Sequence, residues 1–217
     1  MKKCYLCSST ENLTRDHIPP KSLFPNPLPT NLITLPCCEK CHKPLSLDDE
    51  AFRAWVASAQ GKSDAGRWIW EHRVVDSSFK RSRKFFENVS RHAQISQLSC
   101  DGQKIFVPTL SIPQDRAETV LVRITKGLLT HFYPEYDFSK DIFRVFCPAP
   151  IPEHNKSVLE LMRVSKHDSR GNSVFDFWHG ITVEKVGGTW VYFFYQAACC
   201  VVVHSSSWKS PGTIQGK

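Results

Sequence analysis

Two Cys-x-x-Cys pairs near the N-terminus constrain this chain more than any other feature. Cys4-Tyr-Leu-Cys7 and Cys38-Glu-Lys-Cys41 each have the spacing that lets two sulfurs reach one ion from a tight turn. Together they complete a tetrahedral four-thiolate cage, a closed, structural zinc geometry. Cys37 adjoins the second pair, but only Cys38 stands two residues from Cys41, so Cys37 reads as a core or loop thiol. The chain has nine cysteines, an odd number, and the remaining four follow no regular framework. The start MKKC turns polar at once and reads as no secretory signal, which points to a reducing, cytoplasmic compartment with metal-bound thiolates rather than disulfides.

Between the pairs, Leu13-Thr-Arg-Asp16-His17-Ile-Pro-Pro20 has apolar ends around a polar centre. It reads as a short strand ended by its prolines, which lack the ladder donor. Phe24 to Thr30, with three prolines, is a loop, and Leu32-Ile-Thr-Leu35 is the return strand. After the second pair, Ser46 followed by Asp49 resembles a helix start with acids in the first turn. Phe52, Trp55, Val56 and Ala59 then recur at helical spacing over 48–60.

This order of strand, loop, strand, knuckle and helix, with its residues, resembles the HNH endonucleases and their ββα-metal fold. The knuckles are similar to those of the endonuclease VII type. The resemblance covers residues 4–55 and rests on Cys4/Cys7, Asp16-His17, Asn31, Cys38/Cys41 and His42. It implies that His17 is the general base that takes a proton from the attacking water, a task suited to an imidazole. It implies that Asp16 and His42 hold a catalytic divalent ion, magnesium, manganese or similar. Asn31 would hold the loop and the His17 ring. Neighbours on a strand point to opposite faces, so Asp16 and His17 share one site only if the strand is distorted, which the Pro-Pro step would help impose. Asp48, Asp49 and Glu50 read as a helix-start cluster, or as one more metal contact or a support for His42. His42 could also compete with a cysteine for the zinc. The implied reaction is hydrolysis of DNA, leaving a 5′-phosphate and a 3′-hydroxyl, in a bacterial or phage defence or mobile-element setting. Two rivals are a non-catalytic zinc-stabilised nucleic-acid- or protein-binding module, and a nuclease acting on RNA.

The rest of the chain reads as α+β. The expected division is a finger at 1–60, a basic helical segment at 61–94 and an α+β module with an antiparallel sheet at 95–217. Net charge is +7, and the surplus is concentrated at 61–100, which carries eight Lys/Arg against four Asp/Glu. Lys80, Arg81, Arg83 and Lys84 form either a phosphate-tracking face or an ordinary solvated one. Asp101-Gly102 marks a hairpin. A helix capped by Asp115 runs to Phe132, Ile142 to Phe146 is a strand, and 154–163 a short helix. Pro148 to Pro152 is a linker. Two long strands, Val174 to Glu184 and Trp190 to Val203, are joined through Gly187-Gly188, and the tail from Ser205 is frayed. No apolar run suits a membrane span. A protein partner or a two-fold dimer would suit double-strand cutting.

Overall fold

The computed structural model describes residues 2–59, 63–100, 103–111, 113–147 and 155–208. The fold is α+β with antiparallel sheets. Strands β1 (Leu13–Ile18) and β2 (Ile33–Cys38) form a hairpin, followed by a one-turn helix α1 (Glu39–His42), a 3-10 turn and helix α2 (Ser46–Ser58). His42, Lys43, Leu45 and Ser46 all keep right-handed helical backbone, so α1 runs into α2 without a corner. Ser46 is no cap: its hydroxyl donates to the Lys43 carbonyl at 3.4 Å. Helix α3 (Asp64–Trp68), a π-helical stretch (Ile69–Phe79) and helix α4 (Arg83–Arg91) replace the single basic helix expected. The break falls at Ser82, whose extended backbone lets its hydroxyl accept from Phe85 N.

Strands β3 (Ala93–Cys100) and β4 (Gln103–Leu110) form a hairpin whose last rung is Cys100 with Gln103. Its Asp101-Gly102 turn lies outside the described residues, as do Gly61-Lys62, the Pro148–Pro152 linker and the tail beyond 208. Helix α5 (Gln114–Phe132) starts from Pro113, and Asp115 stands in its first turn rather than at its cap. Strand β5 (Ile142–Phe146), helix α6 (Lys156–Val164) and strands β6 (Lys166–Arg170), β7 (Phe175–Ile181), β8 (Gly187–Phe194) and β9 (Ala198–Ser205) complete the chain. The five strands lie in the order β5-β9-β8-β7-β6.

The stretch read as one strand from Trp190 to Val203 is two. Tyr195 and Gln196 take positive φ and turn the chain, while both flanking strands are buried almost throughout. The sheet has α5 on one face and α6 on the other, so both faces are apolar and the usual alternation is lost. Gly187 and Gly188 lie inside β8, and Ser205 ends β9 with its hydroxyl on Val186 O.

One apolar core links the two ends of the chain. Ile18, Phe24 and Phe52 pack in the same cluster as Leu121, Leu128, Phe175 and Phe194. Phe52 meets Phe194 edge-on at 5.2 Å. Tyr195 donates to Leu23 O at 2.7 Å, and Gly171, at φ +67°, leaves room for Phe24 where a Cβ would lie 2.7 Å from its ring. Among the described residues, no helix is long and apolar enough to cross a membrane.

His179 in β7 is 4% exposed, stacks on Trp190 at 5.1 Å and shares a hydrogen with Tyr133 at 2.9 Å. Burial pushes its pKa down to about 4, assisted by Lys166 and Arg170 and opposed by Asp168. Between that value and the unfolded value near 6.5, the unfolded chain binds the extra proton. Stability is therefore complete above about pH 6.5 and is lost as pH falls towards 4. Thermal melts across that window should show Tm rising with pH, and His179→Phe should flatten the rise.

Candidate metal centre and active site

The β1–β2 hairpin brings the two cysteine pairs together. The first knuckle docks on the end of β2, with Tyr5 N donating to Pro36 O at 3.1 Å and Glu39 N to Asn12 O at 3.1 Å. The sulfurs of Cys4, Cys7, Cys38 and Cys41 all lie within 4.8 Å of one another, and Cys7 Sγ is 3.6 Å from Cys38 Sγ. Tetrahedral bonds of about 2.3 Å would put sulfurs about 3.8 Å apart, so the four could hold a metal ion with little movement. Burial opposes ionisation of Cys4, but backbone N–H groups of Cys38, Leu6 and Cys7 outweigh it and bring its pKa down to about 6. Cys41 is pushed up, by burial first and then by the other three sulfurs. One thiolate is thus favoured by the backbone, and further ones need a cation to offset like charge. Cys37 stays out of the group. It is buried, and burial with the charges of Cys4 and Asp16 pushes it up to about 12.

A second cluster lies beside the cage. Thr14 and Asp16 stand on the same face of β1, two residues apart. Asp16 is buried, and its Oδ2 accepts from the Tyr5 hydroxyl at 2.7 Å. Burial and that carboxylate push the Tyr5 pKa far up, so it remains a donor. His42 Nδ1 is 3.1 Å from Thr14 Oγ1, and Thr14 Oγ1 donates to Cys37 O at 2.9 Å. A hydroxyl has one proton. With that proton on the carbonyl, Thr14 can only accept from His42, which places the ring hydrogen on Nδ1. In a neutral ring the lone pair is then on His42 Nε2, 3.8 Å from Asp16 Oδ1. That distance is too long for a hydrogen bond. Two ligands bound at about 2.1 Å to one hard ion can be up to about 4.2 Å apart, so the pair fits a cation. A histidine that donates its other ring nitrogen to a fixed acceptor is the usual arrangement of a metal ligand.

Each of the three acids at the start of α2 has its own partners. Asp48 faces Arg116 at 3.8 Å, Asp49 accepts from Arg123 Nη2 at 2.5 Å, and Glu50 holds Arg81, Arg53 and the Ser78 hydroxyl. Arg123 is 3% exposed. Burial disfavours its charge, but Asp49, Asp16 and Tyr5 hold its pKa up. Burial raises Asp49 against the pull of Arg123, and the charges of Asp16 and His42 reach it too. The cluster is therefore Asp16, His42 and Asp49 with one buried guanidinium.

His17 pairs with Thr34, and Ile18 with Ile33, in an unbroken one-to-one ladder, so the distortion expected at Asp16-His17 is absent. The partly buried His17 lies on the strand face opposite Asp16. Burial, Lys21, Arg15 and His42 push its pKa down, with Asp16 opposing. Asn31 donates to Ser169 O at 3.2 Å. It ties its loop to β6, and no hydrogen bond joins it to His17 among the described residues. In the basic segment, Lys80 pairs with Asp76 at 2.7 Å, Arg83 with Glu87 at 2.9 Å and Arg81 with Glu50, whereas Lys84 has no such partner among the described residues.

Tyr5, Thr14 and Arg123 were not singled out from the sequence. Period-two alternation from Asp16 points to Thr14. Arg123 stands among Val120, Leu121, Ile124 and Leu128, where a charge on an apolar helix is a signal in itself. Tyr5 carries no such mark.

Arg123→Leu would leave Asp49 buried without its cation. A loss of about 3–5 kcal/mol in unfolding free energy is expected, measured by urea denaturation near pH 7. Arg123→Lys should recover part of it.

No protein-family model matches this chain, and a search of curated proteins finds no match.

Proposed function

We propose that the chain is a metal-dependent endonuclease of the HNH kind that hydrolyses phosphodiester bonds in DNA. The observation that carries this reading is the 3.8 Å separation of Asp16 Oδ1 and His42 Nε2. It lies beside a separate four-sulfur group. The metals have different jobs. Zinc in the cage would close the knuckle end of the β1–β2 hairpin, whose other end packs into the main core. Magnesium, manganese or a similar ion between Asp16 and His42 would neutralise charge on the phosphate and on the leaving oxygen.

The chain's own residues do the rest. Tyr5 fixes one oxygen of Asp16 and leaves the other free. Thr14 fixes the His42 ring with its lone pair on Nε2. Arg123 balances the clustered carboxylates from behind. His17, whose pKa burial and Lys21 push down, would accept the proton of the attacking water; because β1 sets it on the face opposite Asp16, that role requires the strand to twist when metal and DNA bind. The net charge of +7 favours a polyanionic substrate. The paired side chains of Lys80, Arg81 and Arg83 have less charge to offer phosphates than the sequence implies.

Supercoiled plasmid incubated with magnesium or manganese should be cleaved, and His17→Ala should slow cleavage by roughly 100-fold or more without changing Tm. Equal rates for the two proteins would leave a non-catalytic zinc module as the better reading. Faster digestion of matched RNA would change the substrate. A separate measurement tests the cage. Metal analysis should find one zinc per chain, Cys7→Ser should lower that occupancy, and a strong chelator should lower Tm sharply.

A further inference from the structure

We infer that Cys147 and Cys200 form a redox modification site, a thiol pair that hydroperoxide-class oxidants convert to a disulfide clasping the edge strand β5 to β9. This inference is independent of the nuclease reading and of the metal cage. The last paired rung of β5 and β9 is Phe146 with Val201, so the next position sets Cys147 opposite Cys200. Opposed residues in antiparallel strands have Cα atoms about 4.5–5.5 Å apart, inside the range that a disulfide spans. The two sulfurs are already 3.7 Å apart. They close to a bond by small side-chain rotations.

Access differs between the two in the way such a pair requires. Cys147 is partly exposed, at the end of the edge strand β5. Cys200 is fully buried. Hydrogen bonding between the two sulfurs pulls the Cys147 thiol below its ordinary pKa, against burial, whereas burial pushes Cys200 far up. The reachable sulfur is therefore the one that ionises, and the shielded one waits beside it. Cys199 is no competitor, since it points to the opposite face among Val158 and Val191.

The chemistry balances in two steps. The Cys147 thiolate attacks the terminal oxygen of the peroxide. An S–O bond forms, the O–O bond breaks, and the departing hydroxide takes up a proton. Cys200 sulfur then attacks Cys147 sulfur; the S–S bond forms, the S–O bond breaks, and water leaves with the Cys200 proton. Two thiols are oxidised and one peroxide is reduced to two waters. An external dithiol reverses the bond.

The test uses the full chain carrying its metal, treated with one equivalent of hydrogen peroxide. Non-reducing digestion and mass spectrometry should find a peptide joining Cys147 to Cys200, lighter than its two parts by two hydrogens. A chromophoric chelator should report no metal release. Tm should rise by roughly 4–10 °C, and dithiothreitol should reverse the rise. Cys147→Ser should lose the cross-link and the Tm rise, with Cys200 remaining reduced. Cys147 recovered as sulfinic acid, or unmodified, or joined to a different cysteine in the wild type would overturn the proposal. The wild-type peptide map decides this even if a variant folds poorly.

Discussion

Ile18 of β1 occupies the space that a side chain at position 127 would need. A Cβ built on Gly127 would lie 2.7 Å from two Ile18 carbons. Because glycine has none, α5 comes down directly on the β1–β2 hairpin. Four residues earlier on the same helix face is Arg123, which this close approach delivers to Asp49 and to the field of Asp16. Asp16, the helix that carries Asp49 and the central helix of the C-terminal half are thus registered against each other by one missing side chain.

Burying that arginine is costly, and two of its nitrogens, Nε and Nη1, find no hydrogen-bond partner among the described residues. Well-packed apolar residues in place of the whole pair would often be as stable or more so, whereas removing one partner alone is costly. The pair therefore does not explain stability in itself. Its electrostatic role is different. Tyr5 donates to one oxygen of Asp16 and Arg123 supplies a cation nearby, so Asp16 and Asp49 sit together with compensation from within the protein. Without Arg123, the buried Asp16 and the partly buried Asp49, whose charges reach each other, would lose the cation that compensates them.

The hairpin, the knuckles and their order were legible because each depends on local chemistry. Sulfur spacing, prolines at strand ends and apolar runs all act within a few residues. The four-sulfur group and the expected placement of Cys37 follow from that. The second cluster was half legible. Asp16 and His42 stood out by type, but what orients them came from Thr14, one pleat away, and from Arg123, far along the chain. The acids Asp48, Asp49 and Glu50 left several readings open because their partners lie on α5 and on the π-helical stretch. Longer-range burial also misled the strand boundaries. Where β8 and β9 are covered on both faces, a turn at Tyr195-Gln196 looks like uninterrupted strand, since its signal is backbone φ and not polarity. Asn31 was legible as a loop anchor, but its acceptor, Ser169 O, could not be seen from the sequence.

The separation into finger and C-terminal module makes less physical sense once both ends of the hairpin are considered. At the end with Leu13 and Cys38, the sulfur cage closes it. At the end with Ile18 and Ile33, Phe24 over Gly171, Tyr195 on Leu23 and Asn31 on Ser169 close it. Asp16 lies between these two anchors. A two-stranded hairpin alone is marginal in water, and a metal at one end would still let the other fray. The distance from Asp16 to His42 can only be kept if both ends are held. The five-stranded sheet is therefore part of what gives the candidate site its geometry, whatever else it binds.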